Sequence, residues 1–108
     1  MSQFREDRRL AEMYLSKIRS SKDRGIDFSL TLSEYKRFSK LKTCYYTALT
    51  LNSKTRTLDR IDNKVGYITG NVVVCHTTFN ALKGLIENPM NELNLKNTLR
   101  GITRWNKL

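Results

Sequence analysis

The chain has 108 residues, enough for one small domain and too few for two. A single Pro and five Gly argue against a long disordered linker, and no apolar run approaches the ~18 residues of a membrane-spanning helix. Twenty Lys plus Arg against ten Asp plus Glu leave a net charge of +10, which suits a polyanion because each phosphate neutralised releases condensed counterions.

In chain order, residues 4 to 24 read as a helix: Phe4, Leu10, Met13, Tyr14 and Ile18 recur at helical spacing, and Gly25 is its expected stop. Arg5, Arg8, Arg9, Lys17, Arg19, Lys22 and Arg24 make this helix a candidate phosphate-facing element, with a solvated face as the alternative. Thr31-Leu-Ser-Glu34 has capping-box spacing, opening a helix to about Lys42 with Leu32, Tyr35, Phe38 and Leu41 on one side. Cys44 to Ser53 has no helical period and reads as loop or irregular strand. Arg56 to Ile61 alternates as a short strand, Asn63 to Gly70 carries turn residues, and Val72 to Cys75 is a β-branched run. Thr77 to about Ile86 reads as a helix using Phe79, Leu82 and Ile86. Beyond Pro89, a last helix is expected from Leu93, Leu95, Leu99 and Ile102, with Trp105 near its end. Strand, loop, strand, helix is thus the order of the middle of the chain.

Met1 to Arg9 lacks the apolar stretch of a secretion signal, so a cytoplasmic protein is expected. Its two cysteines, Cys44 and Cys75, are then thiols or metal-ligand remnants, with a Cys44–Cys75 bridge as the alternative.

Thr57-Leu-Asp-Arg-Ile-Asp-Asn63, Gly66-Tyr67, Gly70-Asn71-Val72-Val73 and Asn80-Ala-Leu-Lys83, in that order and spacing, resemble the HNH endonucleases, in the Asp-Arg-Ile-Asp form met in phage sequences. The resemblance implies an α+β fold: a small ββα-metal core of two antiparallel strands and a helix, flanked by N-terminal and C-terminal helices. Residues 1–43 would form a helical extension, 44–86 the core and 87–108 a helical tail of one compact domain. It implies one divalent cation, Mg²⁺ or Mn²⁺, held by Asp59 and Asn80, whose carboxylate and amide oxygens suit a hard ion. Asn71 falls where the family has the Asn that ties the loop between the strands. Lys83 falls where a helix Lys contacts phosphate. Arg5, Arg8, Arg9, Arg56, Arg60, Lys64 and Lys83 are the expected nucleic-acid contacts, and Arg100, Arg104 and Lys107 extend the grip.

Two departures matter. Arg60 stands where the family has its general-base His, and a guanidinium cannot take a proton from water; it is expected to bind phosphate, leaving water activation to Asp62, His76 or a metal-bound hydroxide. The zinc-knuckle positions fall on Cys44 and Thr47 and on His76 and Phe79. Thr47 and Phe79 are not zinc donors, so a packed, metal-free knuckle is expected, with Cys44 and His76 as residual knuckle positions. The expected function is metal-dependent cleavage of double-stranded DNA by a phage-encoded protein. The competing readings are a catalytically impaired relative that binds DNA or a host or phage protein, and an RNA-binding module.

Overall fold

The structure is a computed structural model and describes residues 2–87 and 92–106, the second stretch with side chains over 96–104. Lys107 and the side chains of Leu93, Leu95 and Trp105 lie outside the described residues, as does Pro89. In order, the elements are α1 (Gln3–Asp23), α2 (Leu32–Ser39), β1 (Arg56–Arg60), β2 (Val72–His76), α3 (Thr77–Glu87) and α4 (Glu92–Asn106). The fold is α+β: an antiparallel two-stranded ribbon that runs into a helix, with further helices before and after it. Two compact units divide it, Met1–His76 and Thr77–Leu108. Among the described residues no helix is long and apolar enough to cross a membrane.

In the first unit, Ser2 caps α1 by accepting from the Arg5 N–H at 3.3 Å. The helix ends in a Schellman motif: Gly25 takes φ +68°, its N–H reaches the Lys22 carbonyl, and the Ile26 N–H reaches the Ser21 carbonyl at 2.8 Å. This stop turns residues 26–30 back along the helix. The Tyr14 hydroxyl donates to the Leu30 carbonyl at 2.6 Å, and its ring meets Phe28 and Tyr35 edge-on. Phe4 and Met13, expected on the buried face, are exposed. Met13 borders a cavity of about 320 Å³ shared with Leu10, Phe38 and Leu58, whereas Tyr14 packs against Phe28 and Tyr35.

The capping box of α2 forms as its spacing predicts: the Glu34 N–H donates to Thr31 Oγ1 and the Thr31 N–H to Glu34 Oε1, both at 3.1 Å. The helix stops at Ser39, short of the expected Lys42. The N–H groups of Lys40 and Leu41 fold back onto the Arg37 and Phe38 carbonyls, and the chain leaves toward a bridge between Thr43 and Thr50. Tyr35 is buried as expected, whereas Leu32 and Leu41 are exposed.

In the ribbon, Asp59 pairs with Val73, Leu58 with Val74 and Arg60 with Val72. Side chains alternate across a strand. One ribbon face therefore carries Thr57, Asp59, Val73 and Cys75, and the other carries Arg56, Leu58, Arg60, Val72, Val74 and His76. The second face meets the core, where Leu30, Tyr67 and Val72 are buried with Ile26, Phe28, Phe38 and Leu58 against them. Gly66 and Tyr67 join the loop between strands to this core. The Tyr67 N–H donates to the Asp27 carbonyl at 2.8 Å and the Ser29 N–H to the Tyr67 carbonyl at 3.0 Å, a parallel bridge between Phe28 and Tyr67. A Cβ on Gly66 would fall on the Asp27 carbonyl oxygen, so this approach requires glycine.

In the second unit, α3 follows β2 without an intervening residue, and α3 and α4 contact each other. Leu82, Ile86, Leu99 and Ile102, expected as apolar face positions, are exposed. A pair of short helices has little interior in which to bury them.

Candidate functional site

The site is built on β1. Asp59 is buried at 7% exposure, and the Tyr46 hydroxyl donates to its Oδ2 at 2.6 Å, a short bond of the charge-assisted kind. A buried carboxylate without such a donor would be strongly destabilising.

Tyr46 is delivered by a tight turn over residues 43–50. The Cys44 N–H donates to the Leu49 carbonyl at 2.8 Å, the Ala48 N–H to the Cys44 carbonyl at 3.0 Å, and the Tyr45 N–H to the Val74 carbonyl at 2.9 Å. The last of these fastens the turn to β2. Ala48 takes φ +61°, a left-handed conformation that side chains with a Cβ rarely adopt. Both cysteines are free thiols and buried, so no Cys44–Cys75 bridge forms. Cys75 donates to the His76 carbonyl at 3.3 Å. Burial pushes the Cys44 thiol up. Hydrogen bonds from the Thr47 side chain and from the His76, Thr47 and Tyr46 backbone outweigh it and hold the pKa at about 7. Thr47, expected at a knuckle position, is thus a hydrogen-bond partner of the Cys44 sulfur. Among the described residues, no group of three or more His, Cys, Asp or Glu side chains gathers to hold a metal ion.

Loop residues 61–71, which join the strands, are organised by one side chain. Asn71 Nδ2 donates to the carbonyls of Asp62 (3.1 Å), Val65 (3.3 Å) and Gly66 (3.0 Å), and Asn71 Oδ1 accepts from the Asp62 N–H at 2.9 Å. Arg60 joins it: Nη1 donates to the Asn63 carbonyl at 2.9 Å and the Val65 carbonyl at 3.3 Å, and the guanidinium lies over the Tyr67 ring, 5.4 Å from its centre. Lys17 stands over the same ring at 4.6 Å, and Arg24 Nη2 reaches the Tyr67 hydroxyl at 3.4 Å. Burial raises the Tyr67 pKa, but the Arg24 hydrogen bond and the nearby Lys17 charge win and lower it.

The other expected residues belong to several elements. Asn80 lies half-buried on α3, nine positions after Asn71. Lys83 on the same helix is ion-paired with Glu87. Arg8 pairs with Glu12 at 3.1 Å, and Arg56 Nε donates to the Leu41 carbonyl at 2.6 Å. Arg5, Arg9 and Lys64 are exposed. His76 belongs to the ribbon face opposite Asp59. Of the residues brought to Asp59, Tyr46 is the one that sequence reasoning missed. Two adjacent tyrosines after Cys44 were the available sign, and nothing in their spacing names a partner thirteen positions away.

No family model matches the chain, and no solved structure matches it. An uncharacterized protein of Acanthamoeba polyphaga mimivirus is 31% identical over 64 residues, which are 59% of this chain and 12% of that protein. An uncharacterized 29.0 kDa protein of the dda-modA intergenic region of Enterobacteria phage T4 is 32% identical over 68 residues, covering 59% of this chain and 27% of that protein. The chain thus spans less than a third of either relative, and both relatives are viral.

Proposed function

We propose that the chain is a metal-dependent DNA endonuclease of the HNH type, hydrolysing phosphodiester bonds with one divalent cation, Mg²⁺ or Mn²⁺. One observation carries this reading: a buried, hydroxyl-bonded carboxylate, Asp59, sits on a ribbon whose loop is braced by Asn71 and which continues directly into the helix bearing Asn80. The donor chemistry fits, since a carboxylate and an amide oxygen suit a hard ion that keeps several waters. When bound, the ion supplies charge stabilisation at the phosphate and the leaving oxygen. Asn71 and Arg60 hold the loop that follows the strand bearing the carboxylate. Arg5, Arg9 and Lys64, with the +10 net charge, serve the duplex backbone. The setting is the cytoplasm of a bacterial host, with the protein phage-encoded.

A second reading, a catalytically impaired relative that occupies DNA or meets a host or phage protein, is favoured by two features. Arg60 cannot accept a proton, and strand register places His76 away from Asp59. Supercoiled plasmid incubated with Mg²⁺, Mn²⁺ or chelator separates the two. Nicking in the metal lanes, lost in Asp59→Ala and Asn80→Ala while DNA affinity survives, is the expected result. Cleavage retained in both variants would sink the metal-site assignment. Intact plasmid with a salt-sensitive mobility shift selects the second reading.

A further inference from the structure

We infer that Tyr46 is the positioning residue of the Asp59 carboxylate: its hydroxyl, fastened to the ribbon by the 43–50 turn, fixes the orientation in which Asp59 meets a divalent cation. The inference rests on the nuclease reading and adds to it a residue outside the motif that carries the resemblance.

The geometry starts from the turn. Its attachment to β2 through the Tyr45 N–H and Val74 carbonyl places the 43–50 segment on the ribbon that also carries Asp59. The Tyr45 ring meets the Tyr46 ring at 5.2 Å and 85°, so the phenol is braced by its neighbour as well as by its backbone. The left-handed Ala48 and the hydrogen bonds to the Cys44 sulfur keep this small turn tight. Local strain is retained where surrounding contacts over-determine it.

The chemistry follows from the bond at the end of the ring. A phenol O–H is a directional donor, and at 2.6 Å it engages Oδ2 and restrains the rotation of the carboxylate. A carboxylate that must present oxygen to a small, geometry-demanding ion gains from being held before the ion arrives. The hydroxyl does not touch phosphate or water in this scheme, so its effect should appear in metal affinity.

The test uses the full chain with Mn²⁺ as the probe, comparing wild type, Tyr46→Phe, Asp59→Asn and the double variant. Mn²⁺ affinity is read by electron paramagnetic resonance and calorimetry, and plasmid nicking is read as a function of Mn²⁺. Tyr46→Phe is expected to keep its circular dichroism and duplex affinity and to bind Mn²⁺ roughly 10-fold more weakly. Its half-maximal Mn²⁺ for nicking should rise by the same factor, with the rate recovering at saturating Mn²⁺. Adding Tyr46→Phe to Asp59→Asn should change Mn²⁺ binding no further, which a general loss of structure would not reproduce. A wild type that binds Mn²⁺ through Asp59 and nicks, beside a Tyr46→Phe with unchanged Mn²⁺ dependence, overturns this inference and leaves the nuclease reading standing. A wild type that neither binds Mn²⁺ nor nicks overturns both.

Discussion

The two turns attached to the ribbon solve the same problem by different chemistry. Loop 61–71 is held from within by a neutral amide: Asn71 bonds three carbonyls and one N–H, and Arg60 adds two contacts. The 43–50 turn closes around a sulfur and sends out a hydroxyl to Asp59. The first is a self-contained clamp whose parts lie within a dozen residues of one another. The second is a bracket between distant residues, made from side chains that serve as metal ligands or core in other settings. A loop shaped by one multivalent side chain fails when that side chain goes. A turn shaped by many weak contacts degrades in steps.

The sharpest way to break the contrast is at Asn71. Asn71→Ala removes two amide N–H donors shared among three carbonyls and one oxygen acceptor; at about 0.5–1.5 kcal/mol for each of these three groups, destabilisation of about 1.5–4.5 kcal/mol is expected in urea unfolding. A loss under about 0.5 kcal/mol would show that the loop does not depend on this clamp.

The sulfur turn should respond to pH instead. With the folded Cys44 pKa held at about 7, below the ordinary thiol value, the thiolate is favoured by folding. Its contribution is complete above the unfolded value and is lost as pH falls toward 7. The melting temperature of the wild type should therefore rise between pH 7 and 9 relative to Cys44→Ser. Parallel profiles would remove the sulfur from the account of this turn.

The smallest effect is expected at Ala48. Its left-handed backbone costs roughly 1–2 kcal/mol, and the greater unfolded freedom of glycine offsets about 0.4–1 of that. Ala48→Gly should therefore raise stability by about 0.5 kcal/mol, read as a shift of denaturation midpoint at constant slope. A decrease would mean that the Ala48 methyl makes packing contacts worth more than the strain.

The same contrast explains what could be read from residues alone. The Thr31–Glu34 box, the Gly25 stop and the ribbon between Arg56 and His76 follow from local spacing, and each sits where that spacing predicts. Asn71 stands next to the loop that it braces. Tyr46 and Asp59 meet through a tertiary contact without local periodicity. Neither the exposure of Phe4 and Leu41 nor the early end of α2 is visible until residues 26–30 and 40–43 take their paths. The Lys83–Glu87 pair shows the limit for charge. An i,i+4 partner on the same helix engages the ammonium, and a count of basic residues does not register that pairing.

The close approach of Gly66 to Asp27 has a mechanical consequence. It makes the connection between α1 and α2 a third rail alongside the ribbon's loop, so Leu30 and Tyr67 are neighbours in one wall. A shortened chain starting at Thr43 would lay bare Tyr67 and Val72 and leave the Tyr67 N–H without its acceptor. Amide exchange at Ser29 and Tyr67 should accordingly rise and fall together, two segments far apart in sequence opening as one hinge leaf.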